Sequence, residues 1–209
     1  MISSALPSEG KTTAVVNLAL ALGDAGQRVT VVEADLRRPK VTRYLGLVGG
    51  VGLTNILAGS ADIDDVVQTY RENVTVIAAG PIPPNPGELL ASQHMSSLLD
   101  KLRGTSDFVL VDAPPLLPVA DATGLAVYMD GVILSVRYGS TRKEQLQQAA
   151  ALLERVGART LGVVLNIVPP KAGLASAYGY EYSYGPTTGG QRLGNDKTGP
   201  EESGPASQP

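Results

Sequence analysis

The chain has 209 residues, with 17 Lys and Arg against 20 Asp and Glu, a formal net charge of −3. That length suits one domain, or one domain with a tail, and buries a core without cross-links. The lack of cysteine excludes disulfide frameworks, thiolate zinc sites and thiol nucleophiles, a lone His94 argues against a Ser-His-Asp hydrolase or a multi-histidine metal site, and the acidic balance argues against nucleic acid as a partner.

In chain order, the first signal is Ala5-Leu6-Pro7-Ser8-Glu9-Gly10-Lys11-Thr12, which has the spacing of a phosphate-binding loop except that Ala5 replaces the first glycine. A helix over Thr12–Asp24 follows, and its positive end would face a phosphate. The runs Val29–Val32, Val74–Ala79, Phe108–Val111, Gly131–Val136 and Leu161–Leu165 are nearly continuous in apolar residues, as strands buried on both faces should be. Helices are expected over Glu88–Leu102 and Arg142–Val156. In the second, Leu146, Ala149, Ala150, Leu153 and Val156 make a one-sided stripe. Alternating strands and helices predict an α/β, doubly wound, mainly parallel sheet flanked by helices, occupying residues 1–170. Leu116 to Val136 is the most apolar stretch, but Asp121 and Asp130 interrupt it, so no membrane span or signal peptide is read and the domain is expected in the cytoplasm. Residues 171–209 hold 8 Gly and 4 Pro, with Leu174 and Leu193 as their only large aliphatics, and read as a disordered tail.

Chemistry concentrates at three places. In the loop, backbone N–H groups would curl around phosphate oxygens, Lys11 would reach the outer phosphates and Thr12 would offer its hydroxyl to Mg²⁺. The strand Val29–Val32 runs into Glu33-Ala34-Asp35-Leu36-Arg37-Arg38-Pro39, and Phe108–Val111 runs into Asp112-Ala113-Pro114-Pro115. Carboxylates at the carboxyl ends of parallel strands face the ligand crevice and can hold a hard cation directly or through water. Either acid alone would be an ordinary strand end; both beside a phosphate loop point to a nucleotide site.

Taken together, these segments resemble the bacterial tyrosine kinases of exopolysaccharide and capsule assembly, autokinases associated with polysaccharide co-polymerases. The loop is similar to their Walker A, Glu33 to Pro39 to their Walker A′, and Val109 to Pro115 to their Walker B, and Gly80-Pro81-Ile82-Pro83-Pro84-Asn85-Pro86-Gly87-Glu88-Leu89-Leu90 matches a further family stretch. The resemblance spans roughly residues 3–168. It implies ATP and Mg²⁺, with Glu9, Gly10, Lys11, Thr12 and Thr13 on the phosphates, Asn166 near the adenine, and Thr12, Asp35 and Asp112 around the metal. Lys11, Glu33, Asp35 and Asp112 become the catalytic set, the first acid of the A′ motif serving as base toward the tyrosine hydroxyl.

Three departures from the family shape the expectations. Glu33 stands where aspartate is usual, one methylene longer, which predicts reduced rather than abolished chemistry. Only Met1 to Ser4 precede the loop, where the family has a central strand, so the chain reads as truncated and its sheet as open in the middle. The upstream helix that supports ring assembly is absent, and the membrane chain-length-regulator domain would lie upstream or on a partner at the inner face of the plasma membrane.

Tyr178, Tyr180, Tyr182 and Tyr184 cluster in the tail and are the expected autophosphorylation sites, with self-association through tail and kinase domain and other protein tyrosines as further substrates. Two alternatives remain open at this level: a switch ATPase of the partition or cell-division type, whose signature loop lysine is replaced here by Leu6, and a catalytically weak nucleotide-binding scaffold. His94 reads as a surface histidine, Arg37, Arg38, Lys40 and Arg43 as a small basic cluster, and Asp121 as a helix cap.

Overall fold

A computed structural model describes residues 1–169, which form a compact unit. The tail and its four tyrosines lie outside the described residues. Among the described residues the chain runs β1 (Ile2–Ser4), α1 (Lys11–Asp24), β2 (Val29–Glu33), α2 (Val41–Leu45), α3 (Leu53–Leu57), α4 (Ile63–Val66), β3 (Gln68–Arg71), β4 (Val74–Ile77), α5 (Pro86–Leu90), α6 (Gln93–Thr105), β5 (Phe108–Asp112), α7 (Asp121–Ala126), β6 (Val132–Arg137), α8 (Lys143–Arg155) and β7 (Thr160–Asn166). The strands make one sheet in the order β3-β4-β2-β5-β1-β6-β7, parallel except for the β3–β4 pair.

Strand alternation sorts the apolar residues onto two faces. Val29, Val31, Val74 and Val76 pack with Val15, Val16 and Ala19 of α1 on one side. Val32, Ile77, Val111 and Leu134 join Leu98, Leu99 and Leu102 of α6, Leu125 of α7 and Leu153 of α8 in the other cluster. From β1 the chain steps across to β2 and outward; after β5 it crosses β1 to reach β6 and β7. The carboxyl ends of β1, β2 and β5 therefore meet at the reversal of strand order, where open α/β sheets bind ligands.

Four readings of the sequence need correction. First, the sheet is not open in the middle: Ile2 to Ser4 pair with Ile133 to Ser135 of β6, and Ile2 also pairs with Asp112 of β5. The three residues suffice because backbone bonds continue past them, Leu116 and Leu117 N–H donating to the Ser4 and Ala5 carbonyls. A cavity of about 410 Å³ near the amino end of β1 is bordered by Met1, Phe108, Val109 and Gly131. Second, the single helix expected over 88–102 is two, α5 and α6, separated at Ser92, whose hydroxyl accepts from the Met95 N–H and restarts the helix as an N-cap. Third, β7 is an edge strand, with Leu161, Val163 and Leu165 each about half exposed, so its apolar run does not report burial on both faces. Fourth, the antiparallel β3, whose residues Gln68 to Arg71 alternate half-buried and exposed, was not visible as an apolar run at all.

Because β1 is paired on both sides, Ser3→Pro would remove a donor from the centre of the sheet, a position proline does not tolerate. The expected result is a loss of at least about 3 kcal/mol in denaturant unfolding; a loss near zero would mean that β1 contributes little to the sheet.

Candidate active site

The phosphate loop is built by backbone strain relieved at fixed points. Ser8 and Gly10 hold left-handed conformations, at φ 65° and 85°. Gly10 is required twice over, since a Cβ there would also lie 2.9 Å from the Asn166 side-chain nitrogen. The Ser4 hydroxyl donates to the Leu6 carbonyl at 2.7 Å, and the Leu6 N–H donates to one Glu9 carboxylate oxygen at 3.0 Å. The other Glu9 oxygen accepts from the Thr141 hydroxyl, while Ser135 Oγ donates to the Glu9 carbonyl at 2.5 Å. Asn166 Nδ2 donates to Ser135 Oγ at 2.7 Å and lies 3.4 Å from the Glu9 and Gly10 carbonyls.

Two residues expected at the nucleotide also brace the loop: Glu9 has its buried carboxylate engaged by the Leu6 N–H and the Thr141 hydroxyl, and Asn166 turns its Nδ2 to the back of the loop. Ser135 and Thr141, which complete this brace, carried only a weak signal: a serine within an apolar strand is easily read as filler.

Beyond the loop, α1 opens with Lys11 and Thr12, both buried, and Thr13, exposed. Lys11 Nζ lies 2.7 Å from Asp35 Oδ2 and 3.9 Å from Asp112 Oδ1. The Thr12 hydroxyl donates to Asp112 Oδ2 at 2.7 Å. Asp112 Oδ1 is buried with no hydrogen-bond partner, and burial pushes the Asp112 carboxyl up to about 6 against the pull of Lys11 and Thr12. A buried carboxylate oxygen with a free lone pair beside a threonine hydroxyl is a donor set that suits a hard cation. Among the described residues no three acidic or imidazole groups converge.

Glu33, expected as the base, is turned elsewhere. It is fully buried, and its carboxylate accepts from the Val41 N–H at 2.5 Å, the Ala79 N–H at 3.1 Å and the Thr42 hydroxyl at 3.4 Å. It ties the end of β2 to the start of α2 and the segment after β4. The extra methylene lets the carboxylate reach these amides, so Glu33 positions the A′ segment.

Asp121 is also reassigned. It is the first residue of α7, not its cap, and its carboxylate takes the Arg37 guanidinium at 2.6 and 3.3 Å. A Cβ on Gly87 would come within 2.8 Å of Asp121 Oδ1, so the glycine leaves room for this ion pair. His94 is exposed on α6, as read from the sequence. A cleft of about 600 Å³ bordered by Arg28, Thr30, Thr75 and Ser106 lies at the opposite, amino ends of the strands, away from all of these groups.

The AAA-domain family matches residues 8–162. The tyrosine-protein kinase YwqD of Bacillus subtilis is 40% identical over 181 residues, covering 86% of this chain and 76% of the relative. The chain belongs to the bacterial tyrosine-protein kinases. The kinase domain of the Escherichia coli tyrosine kinase ETK superposes with a TM-score of 0.80 at 33% identity, covering 88% of this chain and 71% of that one. EpsB of Ralstonia solanacearum, assigned as a tyrosine-protein kinase, is 35% identical over 188 residues, which are 88% of this chain but only 24% of that much longer relative. As a member of this family the protein is an enzyme of the protein-tyrosine kinase class.

Two predictions separate structural from chemical roles. Glu33→Ala would strand two buried amides and lower stability by about 3 kcal/mol; if Glu33 acts only as a base, denaturant unfolding will be unchanged while turnover collapses. For Asp112, the folded pKa lies above the unfolded value of 3.8. Its penalty is therefore absent below about pH 4 and complete above about pH 6. Asp112→Asn removes it, so without nucleotide the variant should be more stable than the parent by up to about 3 kcal/mol at pH 7, with no difference at pH 3.5. Equal stability at both pH values would overturn the assignment.

Proposed function

We propose that this kinase transfers the terminal phosphoryl group of ATP to tyrosine hydroxyls of its own tail or of a neighbouring copy, at Tyr178, Tyr180, Tyr182 and Tyr184. The observation that carries the reading is the buried cluster of Lys11, Thr12, Asp35 and Asp112 at the mouth of a strained phosphate loop. Main-chain N–H groups of residues 8–12 and the start of α1 would receive the phosphates, with Lys11 exchanging Asp35 for the outer phosphate oxygens. Asp112 Oδ1 and the Thr12 hydroxyl would hold Mg²⁺, with Asp35 on its water shell; the ion supplies neutralisation of the phosphate charge.

In the reaction the tyrosine oxygen forms a bond to the γ-phosphorus as the bond to the β,γ-bridging oxygen breaks. ADP leaves with that electron pair, and the hydroxyl proton passes to solvent water as the new bond forms. A loose transition state asks for alignment and charge stabilisation more than for a strong base, which accords with Glu33 being engaged elsewhere.

The length of the Ralstonia relative supports a kinase domain that works beside further domains, and we place the membrane chain-length-regulator or activator segment upstream or on a partner at the inner membrane face. No helix among the described residues is long and apolar enough to cross a membrane. Each phosphotyrosine adds roughly −1.5 to −2 charge, so several in a row would repel one another and loosen self-association, a means of regulating polysaccharide synthesis or export.

Mass spectrometry after incubation with Mg-ATP tests this reading. Phosphate is expected on Tyr178 to Tyr184, with Lys11→Met lowering its rate by at least about 100-fold. ATP hydrolysis without phosphotyrosine would favour a switch ATPase, and binding without turnover would favour a nucleotide-binding scaffold.

A further inference from the structure

Beside the phosphate loop lies a cavity of about 250 Å³ that starts at Ser8, Lys11 and Asp35 of the nucleotide site and extends past them to Pro118 and Val119. It is smaller than the roughly 300–1,000 Å³ typical of sites for whole small-molecule ligands, and suits a single side chain. Its walls are stiff and apolar: Pro7 of the loop faces Pro114, Pro115 and Pro118 from the segment after β5. At one end it reaches the Lys11–Asp35 pair, where a phosphoryl group would be handed over. Arg37, Arg38 and Lys40 form the remaining border. Asp121 engages Arg37, whereas Arg38 and Lys40 are exposed and make no ion pair among the described residues. A proline-walled slot accommodates a phenol ring, and on its border Arg38 and Lys40 are left without a counter-charge among the described residues.

We propose that this slot receives the acceptor tyrosine, and that Arg38 and Lys40 select tyrosines with a carboxylate or a phosphate within two residues of them. The inference rests on the kinase reading above and adds to it the class of acceptor. The tail sequence has one acid inside its tyrosine cluster, Glu181, between Tyr180 and Tyr182. These two tyrosines are therefore the first acceptors. Their phosphates then stand two residues from Tyr178 and Tyr184 and make those the better acceptors in turn. The bond changes are those already given for transfer to a tyrosine hydroxyl; only the choice of hydroxyl is new.

The test uses the full chain and two synthetic peptides, Ala-Tyr-Gly-Tyr-Glu-Tyr-Ser-Tyr-Gly and the same peptide with Gln for Glu. Binding is followed by fluorescence anisotropy of labelled peptide, and transfer by kcat/KM with Mg-ATP. The glutamate peptide should bind and react better by about three- to fivefold, the worth of an exposed charge pair, and the advantage should fade as salt is raised toward 0.5 M. In Arg38→Ala/Lys40→Ala the ratio between the peptides should fall to near one. Equal binding and equal kcat/KM for the two peptides would overturn the acceptor assignment and leave the kinase reading intact. So would a double variant that keeps the ratio but raises KM for ATP, which would give the cations to the nucleotide. A glutamate preference in binding with no transfer to either peptide would instead overturn the kinase reading alone.

Discussion

Lys11 sits at the first turn of α1 with its ammonium between two carboxylates that come from different strands, Asp35 after β2 and Asp112 at the end of β5. In this nearly dry site Lys11 and Asp35 compensate each other and removing either strands its partner, while Asp112 is held beside them at a net cost to the unliganded fold. The loop, α1, β2 and β5 must therefore converge to within a few ångströms at one place. The short β1 makes that convergence possible by carrying the loop out of the sheet between β5 and β6. The compensation is incomplete. Asp112 keeps one oxygen without a hydrogen-bond partner, and its carboxyl is pushed upward by burial. Stability is given up at the point where a ligand would complete the charge balance.

Around this cluster runs a shell of side chains that act on the backbone and not on a ligand. Glu9, Ser135, Thr141 and Asn166 brace the rear of the loop, and Glu33 gathers the amides of Val41 and Ala79. Several of these are residue types that a motif reading assigns to chemistry. Glu9 and Asn166 brace the segment in which Ser8 and Gly10 take left-handed conformations, and Glu33 ties the A′ segment to its neighbours.

Much of this was legible in the amino-acid sequence because the signals were local. Apolar runs located β2, β4, β5, β6 and β7, and the loop spacing located Lys11 and Thr12. What stayed hidden was long-range. A three-residue strand carries no period, so Ile2 to Ser4 became visible only through partners more than a hundred residues away. The mixed polar run of β3 gave nothing to count. The direction of a carboxylate is likewise not written in its neighbours: Glu33 and Asp35 sit two residues apart, yet one turns inward to main-chain amides and the other toward Lys11. The edge position of β7 shows the converse, since apolar content reports hydrophobicity and not how many faces are covered.

The central place of β1 also governs how the chain can acquire its shape. Ile2 finds one neighbour at Asp112 and another at Ile133, so β1 cannot be completed on both sides until partners more than a hundred residues further along have been made. Contacts of such sequence separation slow folding, because the closure entropy of long loops is lost before the pairing that compensates it. Until β6 arrives, the residues that will form the phosphate loop have no Ser135 to lie against. The nucleotide site is then among the last parts of this sheet to take form, although its loop precedes the six strands that follow β1.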